Sequence, residues 1–372
     1  MADAEAYLRG LMPFREEVER FLSREIFADP VRNNAGWTYD AGLGWVLKDS
    51  WRDDGIDGSR TFYRYEPGGA RVRINAADRP CRIHAYGNSF THCDQVSDGE
   101  TWEEYLAAHL REPVMNFGVG GYGVYQAYLR MRRQEAIDPA RYVILNIWHD
   151  DHFRSLDAWR AIRFTYRTPC GFTLPHLAAD PAKGTVEERP NPCPAPEDVY
   201  KLTDPGFVVS RFRDDPSLAE MGFTGHDVGA GGVYCRPSTM SPAHIEAALL
   251  ASRRIVEWAE RDCAERGQHL MVILSHGREI VRDALEGRPR WDASFVDWVK
   301  GRPGFLLDLR DAHRREFATT RLSPDEYLGR YYNGHYAPAG NYFTAEALRP
   351  LLADRLDPRP EPYLGGAPKP HP

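Results

Sequence analysis

The chain has 372 residues, 42% hydrophobic and 27% charged, with a formal net charge of −7. That length allows a sizeable core in one large domain or two, and the acidic balance gives no electrostatic case for a nucleic acid or an anionic membrane as partner. No run of ~18 apolar residues is present to span a bilayer, and the six cysteines, at 81, 93, 170, 193, 235 and 263, have the spacing of neither a zinc site nor a disulfide framework.

The opening stretch MADAEAYLRGLMPFREEVERFL mixes charged and apolar residues and lacks the basic-then-apolar order of a secretory signal. The expectation is a cytoplasmic protein with reduced thiols. Residues 3–27 carry helical periodicity through Tyr7, Leu8, Leu11, Phe14, Val18, Phe21 and Leu22, with Pro13 set to divide the helix. Residues 36–78 are rich in Gly, Asp and aromatics. GWVLKDSW and TFYRYEPGGARVRIN alternate as strands do, and Pro67–Gly69 predicts a hairpin turn. The first 78 residues therefore read as a helix followed by a small β-rich extension.

From residue 81 a β/α rhythm begins. CRIHAY predicts a buried strand and Gly87 a sharp turn. Residues 101–110 predict a helix, and 114–117 a short strand that leads into the glycine cluster NFGVGGYG. Residues 124–134 predict a second helix, and Tyr142–Trp148 (YVILNIW) a strong strand that ends in His149-Asp150-Asp151-His152. Strands alternating with helices predict a parallel α/β sheet. Residues 153–240 break the rhythm with prolines, glycines, charges and scattered aromatics. They read as an insertion serving as a lid or as a contact for a second copy or a partner chain. The rhythm resumes with a helix over 242–266, a strand at 269–274, a helix at 295–299, a strand at 305–309 and a terminal helix before the Pro/Gly-rich tail 353–372, expected to be disordered. The α/β domain thus spans 79–352.

Ser89 stands at a strand-to-helix turn, where serine is either a capping residue or a side chain presented at the carboxyl edge of the sheet. The glycines at 118–123, the cluster 149–152 and His335 lie in loops that would open on the same edge. A nucleophilic serine needs a base within hydrogen-bond reach and donors for the developing oxyanion, and histidine is the usual base. Only the fold could bring Ser89 and His335 together across 246 residues.

In these blocks and their order the sequence resembles the SGNH, or GDSL-like, hydrolases. The resemblance implies a flavodoxin-like three-layer α/β/α sandwich. GNSFT at 87–91 resembles the block of the nucleophile, with Asn88 where aspartate is common and Ser89 as the nucleophile. NFGVGGYG at 116–123, followed by Gln126, resembles the second block, which makes the N–H of Gly121 an oxyanion donor beside that of Ser89. YVILNIWHDD at 142–151 resembles the third, and GHYAPAGNYFTAEAL at 334–348 the last, with His335 as base. NNAGWTYDAGLGWVL resembles extensions of some bacterial members. The blocks cover roughly 80–152 and 241–352. The nucleophile elbow of α/β-hydrolases fits less well, because it needs glycine where Thr91 stands.

Two positions depart from the family pattern. Asp150 stands where an asparagine donates to the oxyanion, and an ionised carboxylate cannot donate. A shift of one residue would put His149 or Asp151 there. Asn333 and Tyr332 stand where an aspartate orients the histidine. Three readings stay open: a serine esterase or acyl hydrolase, with Asn333 or a backbone carbonyl orienting His335; a non-hydrolytic enzyme (elimination, acyl transfer or internal displacement) using Asp150 and His335 as acid and base; and a ligand-binding protein without catalysis. Each takes a small-molecule substrate or ligand and no cofactor or metal, since adjacent residues such as 149–152 rarely converge on one ion. Among other residues, Asp151 reads as a structural anchor and His84 as a satisfied core histidine; pocket contact is an alternative for His92 and Asp94, as is a pocket border for Ser275-His276; and Asp308 and Asp311 read as caps or surface charges ahead of a carboxylate for His335.

Overall fold

A computed structural model describes residues 2–23, 36–164, 172–221 and 240–363. These residues divide into two compact units. One comprises 51–120, 130–149 and 256–372, the other 1–50, 121–129 and 150–255.

The first unit holds the predicted sheet. Its strands are β1 (Ile83–Tyr86), β2 (Met115–Asn116), β3 (Tyr142–Trp148), β4 (His269–Ser275) and β5 (Phe305–Asp308). All neighbours pair in parallel, in the order β2-β1-β3-β4-β5. That is the flavodoxin-like order, which reverses direction at the β1/β3 boundary and leaves a crevice at the carboxyl ends of those two strands. Every residue of β3 is buried, as expected of a strand covered on both faces, whose sequence is a continuous apolar run rather than an alternation. Helices flank the sheet as a three-layer α/β/α sandwich. Helix α1 (Ser89–His92) follows β1 and α2 (Trp102–Leu110) follows it. Further along the chain come α3 (Val124–Glu135), α4 (Pro242–Glu265), α5 (Arg278–Leu285), α6 (Leu309–Phe317), α7 (Pro324–Tyr331) and α8 (Pro338–Arg355). Helix α8 packs on α2, and α5 packs on α6 and α7. The helix expected at 295–299 runs from Ala293 to Lys300. Past α8, Glu361–Tyr363 closes a 3-10 turn and the Tyr363 hydroxyl accepts from Arg349. Residues 364–372 of the expected disordered tail lie outside the described residues.

The segment 51–78 belongs with this sheet. Its Pro67–Gly69 turn closes a bridge between Tyr65 and Arg71, with the Gly69 N–H on the Glu66 carbonyl and the left-handed φ of 78° that the turn requires.

In the second unit the N-terminal helix is split as Pro13 predicts, into Ala2–Gly10 and Arg15–Leu22. Residues 24–27 of the expected helix lie outside the described residues. The described residues of the insertion 153–240 interrupt the α/β rhythm, as expected, with elements of their own. An antiparallel hairpin joins His176–Asp180 to Thr185–Arg189, and a helix covers Pro205–Phe212. Turn chemistry explains the hairpin: Asp180 Oδ1 accepts from the N–H groups of Ala182 and Lys183, and Gly184 takes a φ of 66°. The N-terminal helices pack on this segment. Tyr7 donates to the Ile162 carbonyl at 2.7 Å, and the rings of Phe21 and Phe172 stack 3.7 Å apart. Among the described residues no helix is long and apolar enough to cross a membrane.

Candidate active site

The turn after β1 is built by packing that admits only glycine at its first position. A Cβ on Gly87 would lie 2.1 Å from Thr91 Oγ1 and 2.8 Å from the Asn146 carbonyl oxygen. Asn88 is the N-cap of α1: its Oδ1 accepts from the Phe90 N–H at 2.8 Å. Such a cap stabilises a helix start by ~1 kcal/mol. Ser89 is then the first helical residue. Its backbone N–H has no acceptor within the helix, and its Oγ faces away from the cap toward His335.

Three further contacts hold that single turn of helix. Asn146 of β3 donates to Thr91 Oγ1 at 3.0 Å, and Asn116 of β2 donates to the Thr91 carbonyl at 2.7 Å. The loop after β2 passes so close that a Cβ on Gly118 would stand 2.2 Å from the His92 nitrogen. Beyond the helix, the buried guanidinium of Arg71 donates to the carbonyls of His92 (2.6 Å), Cys93 (2.9 Å) and Val96 (2.5 Å), and its Nε to Asp98 at 3.0 Å. One side chain from the 51–78 segment thus satisfies the carbonyls left orphaned where α1 ends.

His335 lies on a two-residue bridge whose turn residue, Gly334, has φ 81°. Its Nε2 is 2.8 Å from Ser89 Oγ. Its Nδ1 is 3.0 Å from Oε1 of Gln95, which also accepts from the backbone N–H of His335 at 2.7 Å. The nitrogen of the same amide donates to the Asp54 carbonyl at 3.1 Å, so oxygen is the end turned to the histidine. An amide oxygen only accepts. Nδ1 therefore carries the proton, and Nε2 offers a lone pair to the serine hydroxyl. Gln95 itself has a left-handed φ of 72°, and its N–H donates to the Tyr63 hydroxyl at 2.8 Å. Phe90 packs the other side of the imidazole, ring centres 5.0 Å apart, and stacks on Trp148.

The group bound to Nδ1 is thus Gln95, where the sequence pointed to Asn333 or a backbone carbonyl. Asn333 pairs through its backbone with His335 across the Gly334 turn, and Tyr332 points elsewhere, donating to the His276 carbonyl. Nothing in the sequence marked Gln95, a lone glutamine six residues after the serine. The only available signal was geometric: a turn that doubles back beside α1 puts residues 94 and 95 under the serine.

Other residues singled out in the sequence have definite surroundings. His149 is buried and its Nδ1 accepts from the Gly277 N–H at 3.1 Å. His276 binds Asp308 at 2.8 Å, and Asp308 also binds Arg290 and caps α6 through the Arg310 N–H. These bonds hold the Asp308 carboxyl below its usual range against the upward push of burial. Asp308 is therefore a cap and ion-pair partner, and Asp311 pairs with Lys300. His84 is a satisfied core histidine bound to Glu135 at 2.8 Å.

Gly121, Asp150 and Asp151 belong to the other unit. Gly121 occupies a left-handed turn with φ 77°, and Gln126 accepts from the Gly123 N–H and donates to the Pro175 carbonyl. The Asp150 carboxylate is fully buried and accepts from Arg154 Nε at 2.8 Å and Arg163 Nη1 at 3.1 Å. Arg163 also binds Asp157. Two guanidinium partners commit Asp150 to its ionised form, which suits neither an oxyanion donor nor a general acid. Asp151 opens the short helix Asp151–Arg154 and lies 3.4 Å from Arg154, the anchoring contact its position suggests. The described residues contain no group of His, Cys, Asp and Glu arranged to hold a metal ion.

No family model matches the sequence, and neither does any curated protein. Among solved structures, the chain is similar to a protein assigned to the lipolytic G-D-S-L family from Desulfitobacterium hafniense DCB-2, at 11% identity and a TM-score of 0.35, over 72% of this chain and 100% of that one. A likeness so distant carries no weight on function.

Proposed function

We propose that the protein is a serine hydrolase of the SGNH type, acting on an ester or acyl group. The observation that carries this reading is the 2.8 Å contact between Ser89 Oγ and His335 Nε2, with Nδ1 held by Gln95 in the tautomer a general base requires. In the first step His335 takes the hydroxyl proton as Ser89 Oγ attacks the acyl carbon. The N–H of Ser89, at the first position of α1, donates to the oxyanion. The resulting imidazolium returns its proton to the departing alcohol. Water, activated by the same histidine, then releases the acid. Gln95 orients the ring through both steps.

The second reading from the sequence, acid–base chemistry through Asp150, gains no support, since that carboxylate is occupied by Arg154 and Arg163. Hydrolysis of p-nitrophenyl acetate and butyrate tests the proposal. Wild-type protein should turn over at least one of them, and Ser89→Ala and His335→Ala should lose ~10³-fold or more while keeping wild-type stability. Equal rates in wild type and S89A would refute it.

A further inference from the structure

In a Ser-His-Asp triad one carboxylate does two things: it fixes the histidine tautomer, and its charge stabilises the imidazolium. Gln95 does the first and, being neutral, cannot do the second. Its chain neighbour is an anion. Asp94 follows the turn out of α1, and its N–H donates to the Ser89 carbonyl at 3.1 Å, so its backbone is tied to that of the nucleophile and it stands one residue from the group that grips His335.

The surroundings of Asp94 keep it charged. His92 Nδ1 hydrogen-bonds its carboxylate. The Tyr65 hydroxyl donates to His92 Nε2 at 2.7 Å, and the imidazole is nearly parallel to the rings of Tyr63 and Tyr65, their centres 5.4 and 5.8 Å away. Burial holds His92 below its ordinary value, so it is neutral. The chain is therefore Tyr65 O–H to His92, and His92 N–H to the Asp94 carboxylate. Burial pushes the Asp94 carboxyl upward, but His92, His335 and Arg52 outweigh it and hold it below the usual range. Of the other groups here, Arg71 is engaged by Asp98, and Arg52 lies over the Tyr63 ring at 5.3 Å, its charge drawn to Asp94 and Asp54. Ser89, Phe90 and Gln95 are uncharged.

We propose that Asp94 supplies the negative charge that stabilises the protonated form of His335, so that orientation and charge compensation are divided between two consecutive residues, Gln95 and Asp94. Asp94 is a positioning residue acting through space, and His92 and Tyr65 hold it in place. The proposal deepens the hydrolase reading and rests on it for its catalytic meaning, but it makes a claim about His335 that needs no activity.

The test is the titration of His335 by NMR in the full chain, for wild type, Asp94→Asn, Gln95→Glu and Arg52→Met. D94N removes the anion, and the His335 midpoint should fall by about one pH unit. Q95E places a carboxylate on Nδ1, and the midpoint should rise by one unit or more. R52M removes the cation that competes for Asp94, and the midpoint should rise. The pH midpoint of fluorophosphonate labelling should move in the same directions, with the maximal rate in D94N down about tenfold. A D94N midpoint within ~0.2 units of wild type overturns the proposal. Should D94N fail to fold, an R52M midpoint that is unchanged or lower does so. Midpoints that move as stated in a protein that is never labelled would sink the hydrolase reading and leave the charge assignment standing.

Discussion

Gly334→Ala probes how tightly the site is built. Alanine in the left-handed region costs ~1–2 kcal/mol, and Gly334 sits at φ 81°. The new Cβ would lie 2.6 Å from Gln95 Oε1, where ordinary contact begins at 3.4 Å. The amide must retreat by the difference, about 0.8 Å. Its bonds to the His335 N–H and Nδ1, now 2.7 and 3.0 Å, would both stretch beyond hydrogen-bond range. Two lost bonds at ~0.5–1.5 kcal/mol each, added to the backbone strain, give a loss of roughly 2–5 kcal/mol. The histidine would lose its tautomer restraint, and a misplaced base of this kind slows reaction by ~10²-fold. Urea denaturation reads the first effect and the rate of fluorophosphonate labelling the second. Because Gln95→Ala removes the clash, the double variant should lose clearly less than the sum of the single variants. A G334A protein within ~0.5 kcal/mol of wild type, labelled at the wild-type rate, would refute the idea that this close approach fixes the base.

Three further outcomes follow from the surrounding structure. Arg71→Met strips three hydrogen bonds from the carbonyls that follow α1 and a fourth from Asp98, so it should cost ~3–5 kcal/mol in urea denaturation, and Arg71→Lys should recover only part of that because it lacks the planar fork. Asp150→Asn would place an amide where SGNH hydrolases carry one, but it takes one carboxylate partner from each of the buried Arg154 and Arg163. The expected result is a loss of ~3 kcal/mol or more, with no gain in ester turnover. The third concerns His84. Burial alone would lower it, yet hydrogen bonds with Cys81 and Glu135 push it up to about 9. A raised histidine contributes stability that is complete below its unfolded value of ~6.5 and disappears as pH rises through about 9. The stability difference between wild type and His84→Gln should therefore be full, on the order of 2–3 kcal/mol, at pH 6 and shrink steadily to pH 9.5.

How much of this was legible in the sequence follows from which interactions are local. YVILNIW and HLMVIL are strands buried on both faces, and an unbroken apolar run is how such strands look; their boundaries hold to within one residue. The Pro67–Gly69 hairpin and the break at Pro13 were readable because proline and glycine act on their own backbone. Ser89 and His335 could be paired only through block order, since no local rule spans 246 residues. The site's supports were not legible. Gln95 reaches His335 because Cys93 and Gln95 both take left-handed backbone conformations, and neither residue type signals that turn. Arg71 looked like one of the alternating charges of a strand and is instead buried under the nucleophile. The helices and hairpin of 153–221 were hidden because their apolar positions are spaced by prolines and charges, and part of what they bury is met by distant segments, as where Phe21 stacks on Phe172 and Tyr7 bonds the Ile162 carbonyl.

The central claim is that Ser89 is a nucleophile activated by His335, and covalent labelling tests it most directly. Intact protein treated with a fluorophosphonate near neutral pH should gain one adduct, mapped by peptide mass spectrometry to Ser89, absent in Ser89→Ala and slowed at least ~10²-fold in His335→Ala. No adduct on folded protein, or an adduct on another residue that persists in S89A, would contradict the account.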